Sequence, residues 1–113
     1  MMQVPTPLGD FELLVLMAVL RLEEASGSGV RSEIETRTSR RVSRGAAYVT
    51  LDRLQEKGLL SSRVVNAPAE AGGRPRRRYR VTTAGRRAAA QSLGDLARMR
   101  AGIEAMLAPP RRS

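Results

Sequence analysis

Ser43-Arg44-Gly45-Ala46-Ala47-Tyr48-Val49-Thr50-Leu51-Asp52-Arg53-Leu54-Gln55-Glu56-Lys57-Gly58 is the stretch on which the fold turns. A Ser43 hydroxyl can accept from the free amides of a helix's first turn. Gly58 can take the left-handed conformation that closes a helix, with Lys57 beside the negative end of the dipole. Between these ends Ala47, Leu51 and Leu54 recur at helical spacing and form one apolar face. At about 100° per residue Gly45, Val49, Asp52, Arg53 and Glu56 then face outward, with Tyr48 on the flank. The N-terminal half of that outward face is small and basic, whereas the C-terminal half carries Asp52 and Glu56. Only the first turns of such a helix suit a polyanion.

Downstream, Leu59 to Asn66 reads as a strand and Arg76 to Thr82 as a second, in which Tyr79 and Val81 alternate with Arg78 and Arg80. The connector Ala67 to Pro75 is rich in turn residues, so the two strands form a hairpin with a long, basic-sided tip. Thr82 or Thr83 caps a final helix predicted to run through about Leu107. There Leu96, Met99, Ile103 and Met106 step by three, four and three, the stripe of a helix that packs along another helix. Upstream, Thr6 caps and Pro7 opens a first helix reaching about Glu24. It is apolar on every side between Leu13 and Leu20, which fits either a central place in the core or a face in a dimer interface. Ala25 to Gly29 breaks it, and Ser28 caps a short second helix to about Thr38 that buries Val30 and Ile34 and shows Arg31, Glu33 and Glu35 to water.

The chain has 113 residues, of which 42% are hydrophobic, enough for one domain with a modest core. It contains no Cys, no His and no Trp. That composition excludes structural zinc sites of the Cys/His kind, thiol chemistry and Ser-His-Asp or Cys-His nucleophiles. Its acids fall at ordinary helix-surface spacings, and neither Gly27-Ser28-Gly29 nor Gly72-Gly73 is followed by the Lys-Ser/Thr of a phosphate loop. We assign no catalytic residue, no metal ligand and no cofactor, and expect no enzyme. The longest apolar run, Leu13 to Leu20, is too short for a membrane span, which takes about twenty residues. Met1-Met2-Gln3-Val4-Pro5 lacks the basic start of a secretory signal, and zero cysteines fit a reducing compartment, so a cytoplasmic protein is expected.

Net charge is +9, unevenly spread: −3 over residues 1–39, +10 over 40–87 and +2 over 88–113. Of the 20 basic residues, all but Lys57 are Arg. A positive field gathered in mid-chain points to nucleic acid, although an Arg-rich surface that is simply solvated would show the same count.

Three helices, a two-stranded hairpin and a further helix is the order of a winged helix-turn-helix, an architecture that is mainly α within the α+β class. The third helix of that fold enters the major groove and the hairpin flanks it. The expected division is a DNA-binding domain over 1–82, a C-terminal dimerisation helix over 83–108 and a disordered tail over 109–113. On the recognition helix Ser43, Arg44, Gly45, Ala46, Tyr48 and Val49 face the groove. Arg44 is able to read guanine, and Val49 to touch a thymine methyl. Tyr48 either donates to a phosphate or is a buried structural ring, and Arg53 either clamps a phosphate or pairs with Asp52 or Glu56. Arg74, Arg76, Arg77 and Arg78 line the wing, where only alternate residues share a face.

The run Gly45 to Leu60, followed by Gly72-Gly73-Arg74-Pro75-Arg76-Arg77-Arg78-Tyr79-Arg80-Val81-Thr82-Thr83-Ala84-Gly85, resembles the PadR family of bacterial transcriptional regulators. The resemblance spans about residues 8–107. Family members share a Gly-x-Leu-Tyr-Pro start to the recognition helix, then Leu-x-Arg-Leu-Glu-x-x-Gly-Leu, a basic wing and a Tyr-x-Leu-Thr-x-x-Gly close. Here Ala47 and Val49 replace Leu and Pro at the start, Gln55 replaces Glu, and Val81 replaces Leu. The resemblance implies a homodimer held by the first and last helices, with Phe11, Val15, Leu96, Met99, Ile103 and Met106 at the interface. It further implies repression from an inverted-repeat operator on double-stranded DNA, and release by a small hydrophobic effector between subunits. Phe11, Val15 and Met99 either line such a pocket or are plain core. The rival readings are a basic architectural or RNA-binding protein without sequence preference, and a module whose last helix pairs with a different protein.

Overall fold

A computed structural model describes residues 8–66 and 75–110. Helix α1 spans Asp10–Leu22, α2 Gly27–Arg37 and α3 Arg44–Glu56; strands β1 (Leu60–Asn66) and β2 (Pro75–Val81) form the hairpin; α4 (Thr83–Arg100) and a short α5 (Glu104–Leu107) close the chain. The fold is helix-rich α+β with, among the described residues, one antiparallel pair of strands, the winged helix-turn-helix expected from the order of elements.

Helix α1 begins after Gly9, whose amide donates to Glu12 Oε1 at 2.9 Å. Thr6 and Pro7, expected to open this helix, lie outside the described residues. Leu13, Val15, Leu16, Ala18 and Val19 are buried, and α1 packs against α2, α3, β2 and α4, so its central position accounts for most of its apolar surface. Glu12 is buried and its Oε2 takes a 2.7 Å hydrogen bond from Lys57 Nζ, at the C-terminal end of α3. Burial pushes this carboxyl up. The Lys57 hydrogen bond, the Gly9 amide and the charges of Lys57 and Arg53 outweigh burial and hold it below its ordinary value.

Helix α2 is capped by Ser26, whose Oγ accepts from the Gly29 amide at 3.0 Å, two residues earlier than the Ser28 cap read from the sequence. The reason lies outside the helix. Ala25 exchanges two backbone hydrogen bonds with Tyr79 of β2, at 3.0 and 2.8 Å, and this bridge holds the chain extended up to Ser26. The turn between α2 and α3 is fixed by side chains. Thr38 Oγ1 donates to the Ile34 carbonyl at 2.7 Å and accepts from the Arg40 amide at 3.1 Å. Val42 is buried, its amide donating to Glu35 Oε2 at 2.8 Å and its carbonyl accepting from Arg31 Nε at 3.1 Å. Arg31, expected to face water, is therefore half-buried, as is Glu33, which pairs with Arg37; Glu35 stays exposed as expected.

Helix α3 follows the sequence reading at both ends. Ser43 Oγ accepts from the Ala46 amide at 3.1 Å, and Gly58 sits at φ 76° just past the helix. Ala47, Leu51 and Leu54 are buried as expected, joined by Thr50. In the hairpin Leu60 pairs with Val81 and Asn66 with Pro75, and Tyr79 is the largest fully enclosed side chain. β2 runs Pro75–Val81 rather than Arg76–Thr82, because Thr82 leaves the strand to cap α4. Its Oγ1 accepts from the Gly85 amide at 3.0 Å and donates to the Gly58 carbonyl at 2.7 Å. Gly85 itself is buried against Leu59, and a Cβ there would stand 2.1 Å from the Leu59 carbonyl oxygen.

The last helix differs from expectation. It ends at Arg100, Gly102 turns at φ 85°, and α5 has only 4 residues, so no continuous helix reaches Leu107. Gly inside a helix costs about 1 kcal/mol relative to Ala, and here it takes the left-handed turn that ends α4 instead. Leu96 and Met99 thus lie on α4, Ile103 at the α5 cap and Met106 on α5. Among the described residues no helix is long and apolar enough to cross a membrane.

Candidate nucleic-acid interface

The first turn of α3 stands clear of the body. Ser43, Arg44, Gly45 and Ala46 are exposed, and Val49, one turn on, is 57% exposed. Because Ala47, Leu51 and Leu54 hold the opposite face in the core, the helix cannot rotate this surface inward without exposing them. Tyr48 is half-buried, and its ring lies against the backbone of Gly27 at the start of α2. The Arg44 guanidinium carbon sits 5.6 Å from the centre of the same ring, a cation–π distance. Tyr48 therefore has a packed ring beside the exposed surface, so the two roles read for it are compatible.

Arg53 is exposed, and among the described residues it forms no ion pair with Asp52 or Glu56. Its charge acts instead on Glu12. That removes the pairing within α3 read as one of its alternatives. On the wing Arg76 and Arg77 are exposed and Arg78 is half-buried. Arg74 lies outside the described residues. Arg77 Nη1 donates to Ser62 Oγ at 2.9 Å and Ser62 Oγ to Gln55 Oε1 at 2.9 Å, a chain of bonds from wing to recognition helix.

Between these elements runs a groove lined by Ser26, Gly27 and Ser28 of the α2 start, by Arg31, Arg44 and Tyr48, and by Pro75, Arg76 and Arg77 of β2. Among the described residues, four guanidinium groups and no carboxylate line it. On β1, Arg63 is neutralised by Glu24 at 2.6 Å. The Arg63 hydrogen bond is the main reason the Glu24 carboxyl lies below its ordinary range, with Arg80 and Arg78 adding to it and partial desolvation opposing. The sequence reading missed Gly27, Glu24 and the part played by Arg31. The sequence carries no local sign of any of them, since each gains its role from a residue distant along the chain.

The residues expected at a dimer interface are divided. Val15 has no exposed surface and serves the core, so it has nothing to offer a partner. Phe11 is partly buried against that core. Leu96, Met99, Ile103 and Met106 are 56, 77, 38 and 78% exposed. Of the pair, Val15 is plain core and Met99 is not.

The family model described as Transcriptional regulator PadR-like family matches residues 15–91 of this chain. Among solved structures, the fold is similar to that of a PadR family transcription regulator from hypervirulent Clostridium difficile, with a TM-score of 0.74, 17% identity and coverage of 88% of this chain and 100% of that one. It is similar to a transcriptional regulator from Thermoplasma acidophilum, with a TM-score of 0.72, 19% identity and coverage of 88% and 92%. A PadR-like transcriptional regulator from Bacillus cereus gives 0.71, 19%, 88% and 93% in the same terms. No curated protein matches the chain in sequence.

Proposed function

This chain belongs to the PadR-like family of DNA-binding transcriptional regulators, and from that premise we propose that it is a homodimeric repressor of an inverted-repeat operator, released by a small hydrophobic effector. The observation that carries the reading is the exposed first turn of α3, Ser43 to Ala46 with Val49 behind it, flanked by the arginine groove. Small side chains there let the backbone approach base edges. Arg44 is our candidate for bidentate recognition of guanine, and Val49 for apolar contact with a thymine methyl. Tyr48, Arg53, Arg76, Arg77 and Arg78 are assigned to the phosphates, which fix register without reading sequence.

Dimerisation is assigned to α4 and α5 together with Phe11. Support comes from the run of exposed apolar side chains Leu93, Leu96, Met99, Met106 and Leu107, a patch that a monomeric protein seldom leaves to water. A two-fold dimer would set two α3 helices against half-sites about one helical turn apart. Residues 1–82 would then be the DNA-binding unit and 83–108 the dimerisation segment. The effector, in this reading, binds between subunits and shifts their spacing.

The test is selection of genomic fragments on the purified protein at near-physiological salt, followed by sequencing. Enrichment of a pseudo-palindrome is the expected result. Retention of fragments without a shared motif, lost smoothly as salt rises, would make the protein a non-specific binder and overturn the operator.

A further inference from the structure

Arg31 stands on α2, outside the recognition helix and the wing, yet it lines the same groove as Arg44, Arg76 and Arg77. Its Nε is engaged with the Val42 carbonyl at 3.1 Å. The terminal amines lie beyond that atom and carry the remaining N–H donors of the guanidinium. We propose that Arg31 is a DNA-backbone contact: anchored through Nε to the residue before the α3 cap, it presents its terminal amines to a phosphate in the α2–α3–wing groove. The proposal rests on α3 and the wing forming the DNA interface.

The groove's chemistry selects this ligand class. Among the described residues its charged lining is arginine alone, drawn from three separate elements, which is a surface for a continuous polyanion. Planar guanidinium groups suit phosphate oxygens, to which they can donate in pairs. Arg31 is half-buried and held at Nε, so it loses less side-chain freedom on binding than a free surface arginine. The clamp is two-sided, because Glu35 holds the Val42 amide while Arg31 holds its carbonyl. A phosphate on Arg31 would therefore sit one hydrogen bond away from the peptide that leads into Ser43, the cap of α3. Backbone contact and orientation of the reading helix would share a single side chain.

Two substitutions separate anchoring from contact. In Arg31→Gln the amide nitrogen takes the place of Nε and can still donate to Val42, while the charge is gone. In Arg31→Lys the charge stays and the Nε donor is lost. Binding to a fixed duplex is measured across a salt series for both, beside wild type and Arg76→Ala. We expect Arg31→Gln to melt like wild type, and its slope of log affinity against log salt to fall in magnitude by about 0.9. Its affinity should drop roughly fivefold at 0.15 M salt, on operator and random DNA alike. Arg31→Lys should keep the wild-type slope. An unchanged slope in Arg31→Gln, with a reduced slope in Arg76→Ala, overturns the role of Arg31 alone. An unchanged slope in both overturns the interface on which it rests.

Discussion

The ring of Tyr48 and the backbone of Gly27 are in direct contact: a Cβ at position 27 would stand 2.6 Å from Tyr48 Cζ and 2.7 Å from its hydroxyl oxygen. The start of α2 thus determines where a recognition-helix side chain can lie, and through the 5.6 Å stack it influences Arg44 as well.

Gly27→Ala should push the Tyr48 ring out of its seat. The ring's far end can swing, so stability should fall by only about 1–2 kcal/mol, toward the lower part of the overpacking range. DNA affinity should fall about tenfold, because Arg44 loses its support. A thermal melt and a DNA titration of the same sample check both halves.

Gly85→Ala is the opposite case, since the clash is with backbone. A Cβ 2.1 Å from the Leu59 carbonyl oxygen cannot be relieved by a rotamer change, and α4 must lift from the end of β1. We expect a loss of about 3 kcal/mol in urea unfolding.

Acid should weaken the fold through Glu12. Its carboxyl is held below the ordinary value of 4.5, so the native state favours the charged form. The stability this gives is present above pH 4.5 and is lost as pH falls through the lower, native-state value. Glu12→Gln should cost about 1–2 kcal/mol at neutral pH. It should also flatten the stability profile below pH 4.5, which urea melts at several pH values would reveal.

Met99→Glu puts a charge in the exposed stripe of α4. If that stripe is the contact between subunits, the desolvation penalty should weaken dimerisation about 100-fold, to a 12.3 kDa species in sedimentation at micromolar concentration. A full-strength dimer would move the interface elsewhere.

The parts legible in the sequence are those written in local chemistry. Ser43 and Gly58 bound α3 because capping involves neighbours within a turn, and Ala47, Leu51 and Leu54 declare their face by spacing alone. Spacing alone does not separate Ser26 from Ser28 as the α2 cap, because the choice depends on the Ala25–Tyr79 bridge, whose two residues are far apart in the chain. Val15 and Met99 look alike as apolar helix positions, and only packing separates the enclosed one from the exposed one. The end of α4 is marked in the sequence by Gly102. Gly85 also left a trace, as a glycine in the first turn of a capped helix, where close backbone approach is the usual reason.

Among the described residues, the groove between α2, α3 and the wing draws all its positive charge from arginine. A guanidinium holds its proton across the whole biological pH range and is not a target for acetylation, unlike a lysine amine. Acidification or acyl-transfer signalling therefore has no handle on this surface. In the dimer proposed above, release from a polyanion would come from moving one subunit's groove against the other's rather than from discharging the arginines, so control of this interface is a matter of mechanics.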